Sequence, residues 1–119
     1  MSLDSLVDTI KKHPDYGKAG MILCHNGVVR GTSRDGRKVS GIKVAVDHIK
    51  LKEIITKSKK TPGIIEVLVE IFEGKDLKIG DDVMYLVVAG DIRENVISTL
   101  QNTLNEIKTT VTTKTEYFI

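Results

Sequence analysis

Gly90-Asp91-Ile92-Arg93-Glu94-Asn95-Val96-Ile97-Ser98-Thr99-Leu100-Gln101-Asn102-Thr103-Leu104-Asn105-Glu106-Ile107-Lys108 sets Val96, Ile97, Leu100, Leu104 and Ile107 at helical spacing. One apolar stripe therefore runs down a core helix predicted over 93–108. Asp91 and Glu94, three residues apart, have the spacing of a capping box that would fix its start. Arg93 stands in the first turn, where the helix dipole disfavours a cation. An anionic partner would explain it, and so would an exposed pair with Glu94 or Asp91. Just upstream, Val83 to Ala89 is apolar throughout, the pattern of a central strand covered on both faces that feeds directly into the helix.

Working outward, Leu3, Leu6, Val7 and Ile10 follow the helical rule up to Pro14, so a short helix over 3–12 is expected to cover an open face of the sheet. Ala19 to Arg30 reads as an extended segment, with Gly27 a candidate bulge. Residues 31–38 carry no large apolar side chain and three cations, Arg34, Arg37 and Lys38, which suggests a mobile solvated loop. Val39, Ile42, Val44 and Val46 mark a strand over 39–46. Asp47 then caps a short helix with Ile49, Leu51, Ile54 and Ile55, whose C-terminal end suits Lys57, Lys59 and Lys60. Pro62-Gly63 breaks the chain. Ile65, Val67, Val69 and Ile71 line one face of the next strand, two Gly-containing turns follow between Glu73 and Asp82, and the threonine-rich stretch 109–119 is β-prone. The order α, β, β, α, β, β, α, β, with hairpin-type connections, indicates the α+β class.

The chain has 119 residues, enough for a single domain over 1–119, with 1–18 serving as N-terminal helix and linker. Its 18 basic and 16 acidic side chains give a net charge of +2, which offers little electrostatic support for nucleic acid. Few aromatics interleave with the cations, so a nucleic-acid reading through Arg30, Arg34, Arg37 and Lys38 lacks a stacking platform. Apolar runs fall short of the roughly 18–20 residues that span a bilayer, and no leader pattern opens the chain, so a cytoplasmic protein without membrane association is expected. The single cysteine, Cys24, excludes an internal disulfide and in an apolar strand reads as an inert core residue. His13, His25 and His48 are scattered, and neither a metal nor a cofactor is expected.

Several pieces of the chain, taken in order, resemble the large catalytic subunit of molybdopterin synthase. They are Ala19-Gly20 opening a strand that runs through Gly27 to Val29-Arg30, the polar loop, Gly74 to Leu77, Gly80-Asp81 before a strand, Arg93 opening the long helix, and Ile107-Lys108 leading to Lys114 and Glu116. This resemblance implies a hammerhead-type fold, an antiparallel sheet with helices packed on it. It also implies a homodimer within a heterotetramer and a ubiquitin-like sulfur-carrier small subunit whose C-terminal thiocarboxylate enters a pocket. The reaction it implies is insertion of the dithiolene sulfurs into cyclic pyranopterin monophosphate.

By match, the resemblance makes Lys108 and Lys114 the catalytic lysines and Arg30 and Arg93 the substrate-binding arginines, with Arg37 and Lys38 added from the loop. Both partners of that reaction are anionic, so arginine and lysine would bind them and stabilise developing negative charge. Lys108 would donate or accept the proton with Lys114 beside it, since two ammonium groups in one partly desolvated pocket disfavour each other's charge. Arg30 would grip phosphate in a bidentate way. The chain departs from the family pattern at His25, where an aromatic is usual, at Ile92, where a histidine is usual, and at Val111-Thr112-Thr113, a segment one residue shorter. Such a shortening turns Lys114 to the other face unless an irregularity absorbs it. The alternative is a non-catalytic relative on the same fold, acting as an anion-binding or regulatory dimer.

Overall fold

The structure is a computed structural model describing residues 2–119. Its elements are α1 (Leu3–Lys11), β1 (Met21–Val28), β2 (Val39–Val46), α2 (His48–Lys59), β3 (Ile64–Ile71), β4 (Asp76–Lys78), β5 (Asp82–Gly90), α3 (Arg93–Glu106), a π-helical turn (Ile107–Val111) and β6 (Thr112–Phe118). The class is α+β, as the pattern of elements predicts, with one short strand added at β4. The strands divide into two antiparallel sheets, β1-β5-β3 and β4-β2-β6. Alternating apolar residues say that a segment is extended, but they do not say which other segment will bond to it.

β5 is the central strand. Leu86, Val87, Val88 and Ala89 are all 0 % exposed, and burial of a leucine or valine contributes about 1.5–3 kcal/mol. On one face Met84, Leu86 and Val88 meet Val67, Val96, Ile107 and Val111. On the other, Tyr85, Val87 and Ala89 meet Leu6 and Ile10 of α1, so α1 covers the sheet as its sequence predicts. The Ser2 hydroxyl caps α1 by accepting the Ser5 amide at 3.1 Å. A third cluster, Val29, Val39, Ile42, Val44 and Leu77, fills the junction with the second sheet.

The helix layer follows the predicted stripe at Val96, Leu100, Leu104 and Ile107, which pack on the core, and departs from it at Ile97 and in burying two threonines. α3 buries Val96, Thr99 and Thr103, and Ile107 follows in the turn, whereas Ile97 is 47 % exposed. The cause lies in α2. Its buried Ser58 faces Thr103, and the two hydroxyls are 2.7 Å apart, so α3 turns its threonine edge inward. Asp47 caps α2 as expected, accepting the Lys50 amide at 3.1 Å.

The predicted capping box on α3 does not form. Asp91 precedes the cap position, and its Oδ1 accepts the Ile92 amide at 2.6 Å and the Asn95 side chain at 2.9 Å. Its backbone is pinned from two sides: its amide donates to the Gly63 carbonyl at 2.9 Å, and a Cβ on Gly20 would lie 2.0 Å from its carbonyl oxygen. Glu94 meanwhile pairs with Arg93 at 3.2 Å, the exposed pair that the sequence left open.

Two further expectations are corrected. The polar segment 31–38 is a closed turn rather than an open loop. Thr32 bridges to Lys38, the Ser33 amide donates to the Arg37 carbonyl at 2.9 Å, and Gly36 supplies the φ of +85° that the reversal requires. Cys24 is exposed, not buried, because β1 is an edge strand and α1 reaches Ile22 on that face but not Cys24. The expected bulge is present, with the β1–β5 register slipping between Gly27 and Val28.

Candidate functional site: a cationic hollow where the sheets meet

The hollow measures about 500 Å³ and takes its walls from both sheets. β1 contributes His25 and Gly27, β5 contributes Met84, and the chain leaving β1 contributes Arg30 and Arg34. Lys108 comes from the π-helical turn, and Lys114 and Glu116 come from β6.

The placement of Lys108 follows from the turn. Ile107 and Val111, its two ends, are buried at 0 % and 2 % exposure, and the Thr112 amide returns to the Ile107 carbonyl to close it. Hydroxyls of Thr109 and Thr110 take the carbonyls of Asn105 and Glu106 at 2.9 and 2.7 Å, satisfying acceptors that the end of α3 leaves open. The Asp47 amide holds the Val111 carbonyl at 2.9 Å. Anchored at both ends, the turn leaves Lys108 at the rim and delivers the chain into β6. Lys114 there lies opposite Val44 and Glu116 opposite Ile42, so both side chains share the inward face of the second sheet.

Arg30 is oriented by its own backbone, its Nε donating to the Thr32 carbonyl at 2.8 Å, which leaves the other guanidinium nitrogens free. Among the described residues, no acidic group lies within ion-pair distance of Arg30, Arg34, Lys108 or Lys114. Some cations outside the hollow are answered, Lys57 by Glu106, Lys59 by Glu66 at 2.8 Å and Arg93 by Glu94. Four unpaired cations around one concavity raise its potential and suit a phosphate or carboxylate-type anion. The His25 imidazole has its pKa held below the ordinary histidine value by burial first and by the Lys108 charge second.

Of the residues singled out in the sequence, the structure brings Lys108, Lys114 and Arg30 together. Arg93 lies outside the hollow with Glu94. Arg37 stacks on the Phe118 ring at 3.7 Å, and Lys38 forms the closing bridge of the turn, so Arg34 is the loop cation that reaches the hollow. His25, Arg34 and Glu116 were not singled out as site residues. The signal for His25 is alternation: with Met21 and Leu23 it shares the core-facing side of β1, a polar group at the end of an apolar face. Among the described residues, no group of three His, Cys, Asp or Glu side chains could hold a metal ion, and no helix is long and apolar enough to cross a membrane.

The fold is shared with solved structures. Molybdopterin synthase from Staphylococcus aureus superposes with a TM-score of 0.73 at 21% identity, covering 86% of this chain and 77% of that one. A Helicobacter pylori protein–protein complex of subunits 1 and 2 of molybdopterin-converting factor gives 0.72 at 17% identity, with 99% and 84% coverage. The molybdopterin biosynthesis MoaE protein of Burkholderia ambifaria gives 0.77 at 17% identity, with 100% and 82% coverage. Among curated proteins, none matches the chain. The family model described as MoaE protein matches residues 1–110. The chain belongs to the MoaE protein family, the molybdopterin synthase large subunits, and so to molybdenum cofactor biosynthesis.

Proposed function

We propose that this chain is a sulfurtransferase that inserts dithiolene sulfur into cyclic pyranopterin monophosphate, drawing the sulfur from the thiocarboxylate of a ubiquitin-like small subunit. The observation that carries the reading is the convergence of Lys108, Lys114 and Arg30, distant along the chain, on one hollow, where among the described residues none of the three has an acidic group in ion-pair distance. Arg30 and Arg34 bind the phosphate of the precursor. Lys108 and Lys114 stabilise the negative charge that develops on the substrate as sulfur attacks, and Lys108 moves the proton. A small-subunit partner is supported by the two-subunit complex among the fold's relatives, and the functional unit is a homodimer that carries a small subunit on each protomer.

The test mixes the purified chain with a thiocarboxylated small subunit and the pterin precursor and assays the dithiolene product. Product is expected with the wild type and not with Lys108→Ala. Absence of product from the wild type with a competent partner would favour a non-catalytic, anion-binding relative, and full activity of Lys108→Ala would remove that lysine from the mechanism.

A further inference from the structure

One buried side-chain polar atom among the described residues that line the hollow has no partner. His25 Nε2 is covered from solvent and makes no hydrogen bond, an arrangement that folded proteins rarely leave in place without a use. His25 lies opposite Leu86 in the β1–β5 ladder, on the face that buries Met84, Leu86 and Val88. Gly27, two residues on, points the same way, and a Cβ there would come within 3.3 Å of Nε2 and 3.4 Å of Met84 Cγ. The missing side chain keeps the approach to the imidazole edge clear.

The charged groups that share the hollow with it are Lys108 from the π-helical turn, Lys114 and Glu116 from β6, and Arg30 and Arg34 after β1; β5 presents only Val83 and Met84. Four cations stand against one carboxylate. In the free protein, burial of the ring and after it the Lys108 charge lower the pKa of the imidazole.

We propose that His25 is the proton-binding element of this anion site, so that an oxyanion of the phosphate type enters the hollow together with one proton taken from solvent onto the imidazole. The inference rests on the reading of the hollow as an anion site. An arriving dianion offsets the field of Lys108 and its neighbours and gives a protonated ring an opposite charge nearby, which raises the affinity of His25 for its proton. By linkage, the proton then raises the affinity for the anion to the same extent. The sign follows: the free-state pKa is low and the bound-state pKa higher, so anion affinity is greatest below the bound-state pKa and declines as pH rises through it. For one linked proton the slope is at most about tenfold per pH unit.

Inorganic sulfate is the suitable probe, because its charge stays fixed across the range in which histidine titrates. The chain is titrated with sulfate at several pH values between about 5.5 and 8, following backbone amide and histidine ring resonances by NMR. In the wild type, affinity should rise several-fold per pH unit on acidification, and the His25 midpoint should move up at saturating sulfate. His25→Gln and His25→Phe should bind sulfate with a flattened pH dependence. A slope that survives in both variants, or a wild-type His25 midpoint that does not move, would overturn the proposal. Sulfate binding with no pH dependence would overturn the role of His25 alone, whereas no binding at any pH would overturn the anion-site reading beneath it.

Discussion

The β1-β5-β3 sheet buries both faces of its central strand in apolar contacts, whereas the β4-β2-β6 sheet turns from apolar to charged across its inner face. Val39, Ile42 and Val44 of β2 are buried, and one strand over, Lys114 and Glu116 of β6 face the hollow. The first sheet is made stable by what it excludes from water. The second, smaller sheet relies on the third apolar cluster for its anchorage and so leaves its outer strand free to carry charge. Unpaired cations cost little in stability at a wetted rim and would cost far more inside the first sheet. The apolar core of the first sheet and the unpaired cations of the hollow therefore draw on different side chains, and substitutions should separate them.

The sharpest separation is Lys108→Ala. Under the proposed mechanism, in which Lys108 moves the proton, its loss is expected to lower turnover by about 10²–10⁴-fold, while the urea midpoint of unfolding stays near the wild-type value because Lys108 is exposed. A large stability loss in this variant would break the comparison. Leu86→Ala is the converse. Leu86 is 0 % exposed at the centre of β5, and its truncation should cost about 2–5 kcal/mol of stability by urea denaturation, with the cations of the hollow intact. A cost below about 1 kcal/mol would mean that the first sheet is not the seat of stability.

How much of this was legible in the sequence depended on whether the cause was local. β2 falls on the predicted 39–46, α2 starts at the predicted Asp47 cap, and β5 is central, because periodicity and capping report on the residues that carry them. The division into two sheets was not legible, since β2 pairs with β6 more than 60 residues away and no local pattern names that partner. Asp91 has the right spacing for a cap, but its backbone is fixed between Gly20 and Gly63, contacts that arise only on folding. At the site, Lys108, Lys114 and Arg30 were picked out by family resemblance rather than by any local pattern. Each alone is an ordinary surface cation. Arg34 was hidden by the tight turn, which decides that it and not Arg37 faces inward.

The helix layer over the first sheet contains an exception that sharpens the contrast. Ser58 and Thr103 are 6 % and 1 % exposed and hydrogen-bond each other at 2.7 Å between α2 and α3. Ser58→Ala leaves the Thr103 hydroxyl buried without that partner and should cost about 1–3 kcal/mol. The double variant Ser58→Ala with Thr103→Val removes both polar groups and should recover most of the loss. If the double variant is instead additive, a third partner must hold one hydroxyl. Thr99, whose own buried hydroxyl lacks a partner, is the residue to examine by a further cycle.

The smallest expected effect concerns the joint between the two regions. Asp47 ends β2, caps α2 through the Lys50 amide at 3.1 Å, and through its backbone amide holds the Val111 carbonyl of the π-helical turn at 2.9 Å. Asp47→Ala removes only the side-chain cap and should cost about 0.5–2 kcal/mol, seen as a lower urea midpoint with an unchanged slope. The backbone bond to Val111 persists in the variant, so Lys108 stays at the rim and sulfate affinity at fixed pH should remain near that of the wild type. Asp47→Asn, which can still accept the amide, should recover most of the stability. A variant that loses sulfate affinity in proportion to stability would show that the cap, and not the backbone bond, positions the turn, and the two regions would then be less independent than their burial suggests.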